Sequence, residues 1–260
     1  MFVSKMDSPH KVFVALLIGG FILIWYIQKR RRLSVISFET AAEWRTKAKK
    51  SLSPFVPNFR IEIPEEQELR NEDFSIRYDT WRYLEELQTR VDEVASASRS
   101  ICPFVEPASK ADYLKLALLR NVHCERDVIA VVRGGKKQFL LALREIDSPV
   151  KKSWLCFLLV FPEAKGELIH KIKHDLKQEF LDSGLMIGEF HQLNSTKSIR
   201  SDYFYPRRAG HPIIAIRLMI DNDINFLQIN KEFIEAYLAN FQGTSSANVN
   251  KAEKLYQSRK

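Results

Sequence analysis

The sequence predicts an α/β or α+β fold, a small mixed sheet with packed helices, preceded by one N-terminal transmembrane helix. Two observations lead to this prediction. Residues 154–191 have the pattern of a strand, a helix and a strand between longer helical patterns, and residues 12–27 are an uncharged, mostly apolar run. The first pattern indicates a β-α-β unit, which we expect to cross over right-handed.

The apolar run near the N-terminus is followed directly by the basic residues 29–32 (KRRR). Sixteen helical residues cover about 24 Å of a hydrocarbon core of about 30 Å, and thinning of the bilayer can absorb the difference. Trp25 and Tyr26 suit the membrane interface. We therefore expect a transmembrane helix over residues 12–28.

A cleaved signal peptide and a buried helix of a soluble protein are the two alternatives to a membrane span. A signal peptide carries its basic residues before the apolar run and a small-residue cleavage site after it, whereas here the strong positive charge comes after the run. A buried helix does not require a basic stop. By the positive-inside rule, residues 1–11 form a short extracytoplasmic tail and the bulk of the chain is cytosolic, anchored in the inner (cytoplasmic) membrane.

The net charge of +8 is concentrated next to the apolar run. Residues 29–50 hold eight Lys or Arg against two Glu, which leaves a net charge of +1 for residues 51–260. A nucleic-acid partner is therefore not expected, because it would need the charge on the folded domain. The basic residues favour an anionic inner leaflet instead, by about 1 kcal/mol each. Three widely spaced cysteines without a C-x-x-C pattern agree with a reducing compartment.

Residues 29–65 are predicted to be a basic juxtamembrane linker, with a short charged helix over residues 38–51 and then a proline-containing extended stretch. Residues 66–243 are enough for one globular cytosolic domain. Its first clear helix is expected to begin at Asp79, where apolar residues start to recur at helical spacing.

The remaining pattern alternates between strands and helices. A strand is predicted over residues 113–120, whereas residues 127–145 fit either two helices or a hairpin, because a Gly-Gly pair interrupts them. The later elements are a buried central strand over 154–161, a helix over 168–181 closed by Gly184, strands over 185–191 and 213–220, a final helix over 223–242, and a polar, disordered tail over 244–260.

Glu189 and His191 are the first candidate site. Residues i and i+2 of a strand share a face, so the carboxylate and the imidazole are expected side by side at the carboxyl end of their strand. Ligand sites of open α/β sheets favour that edge. We assign both residues as candidate catalytic groups.

The loop after this strand is rich in arginine and aromatic residues, including Arg200, Arg207 and Arg208. Guanidinium groups bind carboxylates or phosphates in a fork, so the loop is a candidate anion-binding loop. The alternative is a surface loop with solvated arginines.

Two other groups are weaker metal candidates. His170 and His174 are four apart on a helix, but the metalloprotease motif needs Glu after the first His, and Lys171 stands there. We expect both on the solvated face. His123-Cys124 has no companion pair and is expected in a turn or the core.

Residues 184–191 (GLMIGEFH) resemble the signature of a bacterial domain family of unknown function. Further matches to that family are CPF at residues 102–104, FP at 161–162, SDYF at 201–204, YPRR at 205–208, AIRLM at 215–219 and DINFL at 223–227. The resemblance covers about residues 100–228. Gln192 stands where the family has Pro after the His, and AGHP at 209–212 replaces a Ser-Pro-rich stretch.

A fainter similarity is to haem-dependent N-hydroxylases that act on guanidino groups, which pair an early Pro-Cys element with a G-L-H-P element. That similarity implies His191 or Cys102 as axial haem ligand, since imidazole and thiolate are usual in that role. With Arg217, these two residues form the candidate cofactor-binding set, with haem as the possible cofactor.

Three function classes follow from these observations. The first is a membrane-tethered, cofactor- or haem-binding oxidoreductase-like enzyme with its site around Glu189, His191 and Arg217. The second is a non-catalytic module that presents the arginine loop to a small anionic ligand or partner at the inner leaflet. The third is an accessory protein whose membrane helix pairs with another through Gly19-Gly20, although no G-x-x-x-G motif is present.

Overall fold

The computed structural model of the chain describes residues 36–50, 65–88, 102–197 and 205–259. Within those ranges, helices pack against a five-stranded mixed sheet, so the predicted mixed α/β class is confirmed. The strands are Glu39–Thr40 (β1), Leu114–Leu118 (β2), Cys156–Val160 (β3), Leu185–Phe190 (β4) and Ile213–Leu218 (β5). The α-helices are Ala41–Lys50 (α1), Glu65–Gln88 (α2), Val105–Lys110 (α3), Glu125–Arg144 (α4), Pro149–Trp154 (α5), Gly166–Leu181 (α6), Ile224–Leu227 (α7), Lys231–Asn240 (α8) and Ala247–Gln257 (α9).

The strand order is β1-β2-β3-β5-β4, which places the predicted central strand β3 in the middle of the sheet. β3 is parallel to β2, and β5 pairs antiparallel with both β3 and β4. β3 and β4 therefore run in the same direction, as the predicted β-α-β unit requires, with β5 inserted between them. The right-handed crossover stays a prediction.

One helix, α4, spans the region that the sequence left open between two helices and a hairpin. Its buried residues recur at helical spacing as Val128, Val131, Val132, Gly135 and Phe139. A Cβ on Gly135 would lie 3.1 Å from Cδ1 of Leu159 in β3. The glycine thus marks a close approach of the helix to the sheet, which explains why it does not break the helix.

The predicted boundaries at the start of the domain need correction. α2 begins at Glu65, not at Asp79, because the sequence of its first turns lacks the apolar pattern used to find the helix. The short charged helix of the expected linker is confirmed as α1, but it belongs to the folded domain. Trp44 of α1 is 1% exposed, and β1 pairs with β2.

The predicted final helix over residues 223–242 is wrong, because the chain breaks into α7 and α8. α7 ends at Leu227, and Asn230 caps α8 by accepting a hydrogen bond from Glu232 N at 2.8 Å. Phe226 and Ile229, two apolar residues of this stretch, are 45% and 80% exposed.

The predicted disordered tail forms helix α9 instead. Ser246 caps it by accepting from Val249 N at 3.1 Å, and Val249 and Ala252 are buried in the core cluster with α8. The Asn248 amide donates to the Asp221 carboxylate at 2.5 Å. Two small apolar residues and these polar contacts hold a segment whose composition looked disordered.

The predicted membrane span over residues 12–28 lies outside the described residues. Among the helices that the structure describes, none is long and apolar enough to cross a bilayer.

The sheet separates two layers of the domain. On one face, α1, α2 and α3 contribute to a core cluster with Leu116, Leu158 and Ala215. On the other face, α4 and α6 bury residues such as Phe139, Ile169 and Ile172. Alternation along each strand therefore decides which layer a side chain belongs to.

Lys177 of α6 is a buried lysine and provides a pH-dependent stability prediction. It is 8% exposed, and its Nζ lies 3.6 Å from the Met186 sulfur, a weak acceptor. Burial, supported by the charge of Lys173, lowers the pKa of Lys177 to about 8; Asp223 opposes this shift, and Arg217 and Arg207 add to it. Burial of the charged amine therefore destabilises the folded state below pH 8, and stability is regained as pH rises from 8 towards the unfolded value of about 10.4.

We expect Lys177→Met to raise the free energy of unfolding at pH 7 by about 2–3 kcal/mol, because the buried charge is removed. The advantage should shrink at pH 9.5, where the wild-type amine is already neutral. Urea unfolding at both pH values measures the two differences. The control is Lys165→Met at the exposed start of the same helix, which should change stability by less than about 0.5 kcal/mol at pH 7. A constant advantage at both pH values would contradict the prediction.

Candidate functional site

Glu189 and His191 lie side by side at the carboxyl end of β4, as the two-residue spacing predicted. Glu189 is 3% exposed and His191 is 7% exposed, so both polar groups are buried. They project from the sheet face that α6 covers, because Glu189 contacts His170 of α6 and the His191 ring lies against Gly166 of α6. Glu189 pairs in register with Ile214 of β5. Buried polar side chains normally form hydrogen bonds, so the contacts of Glu189 and His191 decide whether either group is left unsatisfied.

The Glu189 carboxylate has contacts to only one of its oxygens in the described part of the chain. Its Oε1 lies 3.1 Å from Nδ1 of His170 and 3.4 Å from Nζ of Lys173, both on α6. Its Oε2 is buried and has no hydrogen-bond partner among the described residues. Buried carboxylate oxygens are normally satisfied, so this free oxygen marks a place where a ligand could bind.

The backbone of His191 is hydrogen-bonded on both sides, but its ring makes no hydrogen bond within the described residues. Its backbone N donates to Arg207 O, and its carbonyl accepts from Asn194 N, both at 3.0 Å. A Cβ on Gly166, the first residue of α6, would lie 2.8 Å from Nδ1 of the ring. Both ring nitrogens are buried without a partner, and burial lowers the pKa of His191. A neutral imidazole results, which is the form that coordinates metals.

A cavity of about 350 Å³ lies on the opposite face of the sheet. Its wall is largely apolar and includes the following residues: Tyr83, Leu84, Leu87, Phe104, Val105, Ala108, Leu114, Trp154, Leu158, Phe190, Ile213, Ala215 and Phe226. The volume falls within the range of small-molecule sites, about 300–1,000 Å³. Phe190 lines this cavity, whereas its neighbours Glu189 and His191 point to the other face.

Three cationic side chains line the cavity, and they differ in whether they are already paired. Arg217 is held by Asp223 in a bidentate ion pair, with N···O distances of 2.7 and 2.6 Å. The half-buried Arg207 and the exposed Lys197 have no ion pair or hydrogen bond to their charged groups within the described residues. An apolar cavity with two cations that are unpaired within the described ranges suits an apolar molecule that carries an anionic group.

The arginines of the predicted anion-binding loop have different roles in the structure. Arg207 lines the cavity, whereas Arg208 lies 3.7 Å from the Tyr205 ring centre and donates to Asn194 O at 3.0 Å. Arg208 is therefore engaged within the loop itself. Arg200 lies outside the described residues.

The predicted cofactor-binding set is not brought together. Cys102 and Arg217 line the cavity, but His191 lies on the other face of the sheet, because residues of β4 and β5 alternate between faces. Cys156 also lines the cavity; burial raises the pKa of its thiol to about 12, although Arg217 opposes the shift. It is therefore an uncharged, unreactive thiol near neutral pH.

His170 was only a weaker candidate in the sequence, and its contact to Glu189 was not predicted. It is 62% exposed, as expected for the wet face of α6, but it also reaches Glu189 of the neighbouring strand. His174, one turn further on, is 78% exposed and lies 4.0 Å from Asp175. Both histidines are exposed, as predicted, and only the packing of α6 against β4 reveals the contact between His170 and Glu189.

Comparison with known proteins identifies a family whose description names no reaction. A family model described as a domain of unknown function (DUF6875) matches residues 89–252, more than half of the chain. No curated protein and no solved structure matches the chain significantly. The expectation of a family of unknown function is confirmed, whereas the GLMIGEFH signature and the similarity to haem-dependent hydroxylases stay predictions.

Proposed function

The chain belongs to the DUF6875 family of domains of unknown function, and we propose that its domain binds an amphipathic organic anion in the cavity beside β3 and β5. The observation that carries this proposal is the contrast between the cavity's apolar wall and its two cations, Arg207 and Lys197, that lack a partner among the described residues. Buried apolar surface supplies most of the affinity for such a ligand, and the cations fix its orientation.

Arg217 takes a supporting role in this proposal. Two of its guanidinium nitrogens are bound to Asp223, and Nη1 also donates to Leu218 O at 3.0 Å. Its charge is thus largely neutralised at the cavity wall. The anionic group of the ligand would therefore bind to Arg207 and Lys197.

The membrane prediction suits such a ligand. The apolar run over residues 12–28 and the basic residues 29–32 support the proposal of a single-pass anchor with the domain on the cytosolic side, at the inner leaflet. The ligand class, an apolar body with an anionic group, is also the chemical class of molecules that partition into that leaflet.

We restrict the hypothesis of a haem-binding enzyme to the cavity, with Cys102 as the axial ligand. Haem is itself an apolar plane with carboxylates, and of its two suggested axial ligands only Cys102 lines the cavity. Cys102 would supply a thiolate to the iron, while Arg207 and Lys197 would hold the carboxylates. A haemin titration separates haem from other amphipathic anions, because ligated haem gives a Soret band that should change in Cys102→Ser.

Binding of dansyl-labelled undecanoic acid to the full-length chain tests the proposal. We expect the acid to bind, its methyl ester to bind more weakly, and Arg207→Met or Lys197→Met to lower the affinity for the acid by about tenfold, because a hydrogen bond to a charged group is lost. Neither variant should change the affinity for the ester. Ala215→Phe, which adds bulk at the cavity wall, should weaken both ligands.

Arg208→Met is the matched control, because Arg208 is the sequence neighbour of Arg207 and is engaged outside the cavity. It should bind acid and ester as the wild-type chain does. Equal affinities of the wild-type chain for acid and ester, or unchanged binding in Ala215→Phe, would contradict the proposal.

A further inference from the structure

We propose that His170, Glu189 and His191 form a site for a divalent transition-metal ion, on the sheet face opposite the cavity. Within the described residues they are the one group of three His, Cys, Asp or Glu side chains whose ligand atoms all lie within 4.8 Å of one another. The inference is independent of the proposed function, because none of the three residues lines the cavity.

The three side chains come from two elements that pack together. His170 lies on α6, and Glu189 and His191 lie on β4 and directly after it, so the fold of the β-α-β unit builds the group. Ligands of one zinc ion at about 2.0–2.2 Å lie at most about 4.4 Å apart. His170 Nδ1 lies 3.1 Å from Oε1 of the Glu189 carboxylate, within that limit, and the exposed His170 side chain can turn further towards the site.

The free atoms of the group indicate a ligand rather than a satisfied polar cluster. Both ring nitrogens of His191 and Oε2 of Glu189 are buried without a hydrogen-bond partner among the described residues. Buried polar atoms left in this way are costly, and a metal ion would satisfy one ring nitrogen of His191 and Oε2 of Glu189 at once. The small Gly166 leaves room for the imidazole where a side chain would collide with it.

The donor set defines the class of metal. Two imidazoles and one carboxylate suit zinc and other late first-row ions rather than magnesium or calcium, which prefer oxygen ligands. Lys173 Nζ lies 3.4 Å and His170 Nδ1 3.1 Å from Glu189 Oε1. On metal binding the His170 imidazole would turn from this oxygen to the ion, Lys173 would stay on Oε1, and the metal would bind the other oxygen, Oε2. Three protein ligands leave a coordination position open for water, as in catalytic zinc sites.

Calorimetric titration of ZnCl₂ into the full-length, untagged chain, stripped of metal with a chelator, tests this inference. We expect one zinc ion per chain, and we expect His170→Ala, Glu189→Gln and His191→Ala each to weaken binding by at least about tenfold, because even outer-shell changes reach that size. His174→Ala is the matched control: it removes an exposed histidine one turn along the same helix and should bind zinc as the wild-type chain does.

His170 keeps the test decisive if a buried variant fails to fold, because His170 is exposed and its truncation leaves the core intact. Absence of zinc uptake by the wild-type chain, or uptake unchanged in His170→Ala, would overturn the inference. Zinc binding that fails only in the cavity variants would overturn it as well, since the two sites share no residue.

Discussion

We expect Asp223→Asn to lower the free energy of unfolding by about 3 kcal/mol, because it leaves the Arg217 guanidinium without its counter-charge. Asp223 is 1% exposed and the Arg217 side chain 28%, so the pair is largely removed from water. The asparagine oxygen can still accept from Ile220 N, which the native carboxylate does at 2.8 Å. The loss therefore reports the ion pair rather than the turn that follows β5. Urea unfolding at pH 7 measures it.

A double variant separates the charge from the packing. Arg217→Met combined with Asp223→Asn removes the uncompensated guanidinium, so it should be more stable than Asp223→Asn alone. Glu106→Gln is the control, because it breaks the exposed Lys110–Glu106 pair and should change stability by less than about 0.5 kcal/mol. A single Asp223→Asn variant as stable as the wild-type chain would show that the pair contributes nothing.

The same variant distinguishes a structural from a ligand-binding role for Arg217. Without the carboxylate of Asp223, the Arg217 guanidinium keeps its full charge at the cavity wall beside Arg207 and Lys197. Affinity for the dansyl-labelled acid should then rise in the fraction of chains that stays folded. A structural arginine with no access to the ligand would leave that affinity unchanged.

The sequence was most reliable where one periodicity decided the outcome. The unbroken apolar run of β3 predicted a central strand, and the two-residue spacing placed Glu189 and His191 on one face of β4. It could not place Arg217, because the face of a β5 residue depends on its register with β4, and that register is set by pairing across 20 or more residues.

The predictions failed where a few tertiary contacts decide the structure and local composition does not indicate them. α9 looked like a disordered tail, yet it is held by Val249, Ala252 and polar contacts to Asp221. His170 is exposed, as the periodicity of its helix predicted, but its contact to Glu189 on the neighbouring strand was not predicted. Both cases depend on long-range packing that no local pattern records.

Trp44→Ala should lower the free energy of unfolding by about 3–5 kcal/mol, the usual cost of removing a buried aromatic side chain. The ring is 1% exposed, its Nε1 donates to Arg77 O at 2.9 Å, and the Arg77 guanidinium lies 4.4 Å from its centre. Trp44 lies outside the family match, in a segment whose charge suggested a linker. The size of the loss thus measures whether this segment is part of the domain.

Two further variants make the Trp44 result specific. Trp44→Phe keeps most of the apolar contact but removes the hydrogen bond that Nε1 donates to the Arg77 carbonyl, so we expect a smaller loss of about 1–2 kcal/mol. Ile229→Ala, at a position 80% exposed, should change stability by less than about 0.5 kcal/mol. If Trp44→Ala were as mild as Ile229→Ala, residues 36–50 would be a linker after all, and the domain would begin at α2.

A loss of the expected size would place α1 and its basic residues in the domain. Lys47 of α1, for example, forms a 2.9 Å ion pair with Glu39, so its charge is partly neutralised there. Attraction to an anionic leaflet would then rest chiefly on residues 29–32, where four of the basic side chains are concentrated.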